Sequence, residues 1–271
     1  FKQHYPYKET SEGENIMKKL PEYLPEYKIE KSSLAPFNVK CEELMGFCII
    51  PRLNEKTTWG SYNIPSRKLN DYTNASVIGK AEVHGIEGVE ILAKQFDCKS
   101  KKTTERYFVA QLTDTHCRYL AESHVENGIR KYFTFLDSEI FMNNWGFGED
   151  NCGYETDVVP HQAIKRIDNN IEVNGRNELV DIVGRYNVII NGKTFDTVCV
   201  MDIGHFDNKI AIEQYLDKNG RTVLWRRFNK NDWANKRYGK LWTEMLPENE
   251  RLIINGETYV HWYDCVTDYI F

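Results

Sequence analysis

Trp225, Arg226 and Arg227 stand side by side late in the chain, and a guanidinium next to an indole can stack on rings or hold an anionic ligand. The plainer reading is one exposed arginine and one that caps a sheet edge. A second cluster lies between Asn143 and Thr156. There Trp145 and Phe147, separated by Gly146, could wall a pocket. Glu149 and Asp150 could orient a cationic or polyhydroxyl ligand, or work as an acid/base pair. A long loop in a compact domain usually has a function. The alternative is a loop that plugs a sheet with its two rings while its acids stay in water. Trp145, Phe147, Glu149, Asp150, Trp225 and Arg227 are therefore the expected ligand-binding residues.

Other reactive residues are arranged less favourably. No G-x-S-x-G string marks a serine nucleophile. His116 and Cys117 are adjacent, and neighbours on a strand point to opposite faces, so they make no dyad with each other. Asp114 with His116, and His261 with Cys265, have even spacings that share a strand face. Each pair supplies two metal ligands where zinc takes at least three from the protein. No catalytic residue, no metal site and no cofactor is expected.

What positions these groups is hairpin grammar. Five Asn-Gly dipeptides, at residues 127, 174, 191, 219 and 255, mostly separate runs rich in β-branched and aromatic residues. A two-residue hairpin turn needs positive φ at both central positions, which Asn tolerates and Gly adopts freely. Strand patterns cover Tyr27–Glu30, Phe37–Cys41, Leu44–Ile50, Trp59–Ile64, two runs within Ala75–Phe96, Arg106–Leu112, Cys117–Val125 and Ile129–Leu136. They resume after Ile164 with Ile171–Val173, Leu179–Ile190, Thr194–Ile203, Ile210–Leu216, Thr222–Phe228, Arg251–Ile254 and Thr258–Phe271. Asp232–Leu246 predicts a helix capped by Asp232 and stopped by Pro247. Ile189–Phe195 recurs as Ile253–Tyr259, and Val77–Val83 is echoed more loosely by Ile182–Val188. Both an internal duplication and convergent turn chemistry account for this.

The expected fold is mainly β: a large antiparallel sheet or open half-barrel built from hairpins, with a few short helices. Residues 1–25 read as a leader or linker, 26–142 as the first half of a β meander, 143–160 as a long loop and 161–271 as the second half. Residues 26–271 read as one domain. Its concave side is the natural ligand face.

Composition narrows the function. A net charge of −5 argues against nonspecific nucleic-acid binding. Seven cysteines without a CxxC pair suit reduced thiols in the cytoplasm better than a disulfide framework. No apolar run approaches the roughly 20 residues that cross a bilayer.

The strings Val109–Arg118, Asn144–Gly153, Asn219–Asn229 and Val260–Tyr269 resemble those of an uncharacterised family of bacterial proteins. That resemblance spans the chain from about Leu20 to its end. It implies a position behind an upstream DNA-binding region of the transcription-regulator or sigma-factor kind, and it transfers no catalytic residue. The hairpin series also resembles open half-barrels of the lipoprotein-carrier type. The resulting expectation is a non-enzymatic module that senses a small molecule or engages a protein partner, with no direct nucleic-acid contact and no membrane span. The rivals are a carrier of an apolar ligand and a carboxylate-dependent hydrolase.

Overall fold

The computed structural model describes residues 20–39, 56–112, 116–126, 129–134, 153–155, 162–174, 179–203, 209–239, 246–247 and 250–271. Strands dominate these residues. They are β1 (Tyr27–Lys31), β2 (Lys56–Asn63), β3 (Leu69–Val83), β4 (Ile86–Asp97), β5 (Thr103–Leu112), β6 (His116–Glu126), β7 (Ile129–Thr134) and β8 (Gly153–Glu155). The second half adds β9 (Ile164–Ile167), β10 (Asn170–Val173), β11 (Leu179–Ile190), β12 (Lys193–Ile203), β13 (Ile210–Asp217), β14 (Thr222–Lys230), β15 (Arg251–Ile254) and β16 (Glu257–Thr267). One α-helix, α1 (Asn231–Tyr238), follows β14, and a short 3-10 turn closes the chain.

All sixteen strands join one sheet. Its main path runs β1-β11-β12-β13-β14-β16-β2-β3-β4-β5-β6-β7. Every described pairing is antiparallel except a two-residue parallel contact between β10 and β15. The large open antiparallel sheet expected from the hairpin grammar is the fold observed.

The turns account for the register. Asn191 and Gly192 have φ of 51° and 71°, and Asn255 and Gly256 have 48° and 82°. These are the primed turns that match strand twist. His84 and Gly85 make the same turn between β3 and β4, with φ of 51° and 82°. At Asn219–Gly220 only the glycine is positive. There Asp217 Oδ1 accepts from the Asn219 and Arg221 amides, closing a longer turn. Asn127 and Gly128 lie outside the described residues, as do Cys41 and Leu44–Ile50. Both copies of the looser echo carry a bulge at the same place, between Val77 and Gly79 and between Ile182 and Gly184.

The helix is shorter than its sequence pattern. It ends at Gly239, whose φ of 83° turns the backbone out of the helix, and not at Pro247. Asp232 lies in its first turn, while Lys230 occupies the cap position.

The sheet is strongly curled. Five strand spacings separate β1 from β16 along the path, about 24 Å in a flat sheet at ~4.8 Å each. Yet the Tyr27 hydroxyl on β1 lies 2.9 Å from Asp264 Oδ2 on β16. One face folds on itself: Ile182, Val198, Val200 and Leu216 from β11–β13 meet Ala75, Ile91, Ala93 and Ala110 from β3–β5. The opposite face packs around Tyr62, Tyr215, Leu224 and Phe228, and is covered by Leu20, Leu24, Ile164, Ile171 and Leu252. Leu20 and Leu24 belong to a strap whose backbone bonds Leu24 N to Arg67 O and Leu69 N to Glu22 O. Both faces of β11–β14 and β16 are thus buried along part of their length. Near-continuous burial in β12 and β13 follows from that.

Candidate ligand-binding face

Strand alternation sends Arg226 and Arg227 to opposite faces of β14. The two faces become different environments.

On one face Arg226 enters a buried ionic network. Its partner across the β13–β14 hairpin is Glu213, in direct register, and Arg226 Nη1 donates to Glu213 Oε2 at 3.0 Å. The other Glu213 oxygen lies 2.7 Å from Arg166 Nη2 on β9. Glu250, just before β15, takes Arg226 Nη2 at 3.3 Å and also contacts His261 Nδ1. The second imidazole nitrogen, Nε2, is 2.5 Å from Asp264 Oδ1. Tyr27 and Tyr215 complete the set by donating to Asp264 and Glu213. Phe228 stacks on His261 at 5.0 Å.

Glu213, His261 and Asp264 are 0% exposed, so their charges must be answered by protein groups. The count balances: Glu213, Glu250 and Asp264 against Arg166, Arg226 and a protonated His261. Burial opposes charge on His261, yet the carboxylates of Asp264 and Glu250 hold its pKa above 6.5. Burial likewise raises the Glu250 carboxyl, but His261 and Arg226 outweigh it and draw it down to about 2. Glu213 is lowered on the same account by Arg166 and Arg226. With both imidazole nitrogens facing carboxylates, His261 has no lone pair left to act as a base. Cys199 is no better placed as a nucleophile, since burial pushes its thiol up to about 12.

On the other face Arg227 stands in a ladder of rings. Its guanidinium lies 5.9 Å from the Trp233 ring centre and 5.6 Å from that of Tyr263. Trp233 in turn stacks on Trp262 at 5.6 Å with planes 3° apart. Tyr263 meets Trp225 at 5.2 Å. The order Trp262, Trp233, Arg227, Tyr263, Trp225 arises from three elements. β14 supplies Trp225 and Arg227 two residues apart. β16 places Tyr263 directly across from Arg227. Helix α1, anchored by the fully buried Ala234 against Ile64, Leu246 and Val260, brings Trp233 over the guanidinium.

All five ladder side chains are half-buried. Arg227 Nε donates to Asn229 Oδ1 at 3.0 Å, and its charge acts on the neighbouring Tyr263 phenol. No carboxylate among the described residues pairs with it. Burial raises the Tyr263 phenol, with Arg227 opposing and Asp71 reinforcing the shift.

Of the six expected binding residues, the structure brings Trp225 and Arg227 together; Trp145, Phe147, Glu149 and Asp150 lie outside the described residues. Asp114 does too, and for His116 and Cys117 only their place on β6 is described. His261 and Cys265 do not share a face. The pairings Phe228–His261 and Arg227–Tyr263 leave Trp262 as an extra residue, and that bulge reverses the alternation. His261 therefore joins Asp264, while Cys265 turns to the other side. Sequence reasoning missed Glu213, Glu250, Asp264 and Arg166 altogether, and Tyr263, Trp233 and Trp262 as ligand-face residues. One partial signal was available: counting outward from Asn219-Gly220 sets Glu213 against Arg226, a register that the longer turn displaces and the irregularity between Tyr215 and Leu216 restores.

No protein-family model, curated protein or solved structure matches the chain. No helix among the described residues is long and apolar enough to cross a membrane.

Proposed function

We propose that this chain is a non-enzymatic binding module that senses a small molecule or engages a partner through the ring ladder around Arg227. The observation that carries the reading is a guanidinium flanked by two rings and left without a carboxylate among the described residues. A cation fixed between aromatic faces and short of a counter-charge is poised for an incoming ligand. The buried network supports the non-catalytic side of the proposal, because its acids, guanidiniums and imidazole already engage one another. An apolar-ligand carrier finds less support, since apolar side chains of the described residues pack together on both faces of the curl. The wider setting we propose is cytoplasmic, as the regulatory part of a transcription regulator whose DNA contacts lie elsewhere.

A thermal-shift screen of small molecules tests this reading. A ligand at about 100 times its Kd adds about 2.7 kcal/mol of stability. The shift is expected to vanish in Arg227→Gln and in Trp225→Leu. A ligand whose shift survives in both variants binds elsewhere and removes the ladder from the proposal.

A further inference from the structure

The open valences of Arg227 define what completes them, and this step rests on the ladder being the binding site. The Trp233 and Tyr263 rings stand 5.9 and 5.6 Å from its guanidinium carbon, and its N–H groups offer a ligand hydrogen bonds in the guanidinium plane. One of those groups, Nε–H, is already given to Asn229 at 3.0 Å. The remaining in-plane donors suit two coplanar acceptor oxygens. That is the pattern a carboxylate presents.

Charge on the same face sets a limit. Arg227 is the cation of the row Asp202, Ile212, Arg227, Tyr263, Asn63. Asp71 lies on β3, in the neighbouring row that runs from Trp225 through Cys265 and Ser61. It is close enough to raise the Tyr263 phenol. A monoanion is neutralised by Arg227, whereas a dianion keeps a second charge facing Asp71. The ligand's remainder must pass Tyr263 and Trp225, whose tilted rings form an apolar ledge beside the guanidinium. Flat, unsaturated groups gain most against such rings.

We infer that the ladder binds a planar organic monoacid, its carboxylate on the edge of Arg227 and its ring system against Tyr263 and Trp225. Neither a phosphate group nor a neutral flat molecule meets both conditions. The ledge gives phosphate nothing to hold, and the guanidinium gives a neutral ring no charge to answer.

Tryptophan fluorescence and calorimetry with four probes test the inference on the intact chain. They are 2-naphthoate, its neutral isostere 2-naphthamide, the non-planar cyclohexanecarboxylate and inorganic phosphate. Naphthoate is expected to bind about tenfold or more tighter than the amide or the saturated acid, the margin of a charge-assisted hydrogen bond. Phosphate is expected not to displace it at equal concentration. Arg227→Gln should bring naphthoate and naphthamide to equal affinity, and Trp225→Leu should bring naphthoate down to the level of cyclohexanecarboxylate. The second variant keeps the test alive if the first does not fold. Equal binding of acid and amide by the unaltered protein, or displacement by phosphate, overturns the ligand class. If a neutral compound from the wider screen binds and depends on Trp225 and Arg227, the ladder remains a site and only its ligand class is wrong. If no compound's binding depends on either residue, both fall.

Discussion

Arg226 and Arg227 share a strand, a charge and nearly the same backbone, yet the sheet gives them opposite fates. Arg226 is 6% exposed and meets carboxylates from three elements. Arg227 is half-buried between rings and meets none among the described residues. A charge in the interior is tolerated only when every neighbour has been recruited to it, so the Arg226 side is closed to further chemistry. A charge held at a partly wet surface by rings needs no such recruitment. If the proposed reading holds, density of titratable groups is a poor guide to the binding face of this sheet, because the richer cluster is already engaged within itself.

The sharpest way to break this comparison is to truncate each arginine in turn. Arg226→Ala leaves Glu213, Glu250 and Asp264 short of a cation in the interior, and removing one partner of a buried pair costs about 3–5 kcal/mol. Arg227→Ala loses only ring contacts and a hydrogen bond to Asn229, about 1–2 kcal/mol together. Urea unfolding of the two variants should separate them by at least about 1 kcal/mol. Equal losses would mean that Arg227 is as deeply committed to the fold as Arg226, and the division of labour between the faces would be gone.

Dependence on pH sharpens the same contrast, because the network holds groups that titrate between acid and neutral pH while the shifted group of the ladder, the Tyr263 phenol, moves up from 10. His261 has a raised pKa in the folded state, so its contribution is complete below its ordinary value of 6.5 and declines as pH rises from there through the folded pKa. Glu213 and Glu250 are lowered, so theirs is complete above 4.5 and declines as pH falls, towards about 2 for Glu250. Stability from these three groups is therefore greatest between 4.5 and 6.5. Urea midpoints measured across pH 3–9 should show that plateau. His261→Gln should lose the decline on the alkaline side while Arg227→Gln retains it. An alkaline limb that persists unchanged in His261→Gln would place the titrating group elsewhere.

Much of the fold was legible because turn chemistry is local. Asn191-Gly192 and Asn255-Gly256 each specify a hairpin from two residues, and the strands beside them, Leu179–Ile190 and Arg251–Ile254, have the bounds their patterns predict. Trp225 and Arg227 were singled out by residue type alone, and the strand grammar places them two apart on one face. Neither signal announces the rest of the ring ladder. Tyr263 comes to Arg227 through a pairing between β14 and β16, with the whole of α1 and β15 between them in the chain. Trp233 arrives on a helix whose end depends on Gly239. The bulge at Trp262 is a long-range event, a mismatch between two strands, and no spacing rule within β16 announces that His261 and Cys265 part company there. The Glu213–Arg226 pair lies in one hairpin, but its register also depends on the irregularity between Tyr215 and Leu216. Arg166, Glu250 and Asp264 were out of reach, for their meeting requires the sheet to curl and β9 and β15 to cover it.

The smallest expected effect concerns the outer end of the ladder, where Trp233 stacks on Trp262. If the ladder holds Arg227 as a unit, the two indoles act together. Trp233→Leu removes the ring that covers the guanidinium, and Trp262→Leu removes only the ring behind it. A double-mutant cycle on stability should return a coupling of about 0.5–1.5 kcal/mol for the aromatic pair. The informative part is the second readout. Because Trp262 stacks on Trp233, which lies by Arg227, its loss should weaken binding of a ladder ligand in the native background and have no effect once Trp233 is already leucine. Additive losses of affinity would show that Trp262 meets the ligand directly. The binding face would then extend beyond Trp233, and Arg227 would sit at its middle rather than near its end.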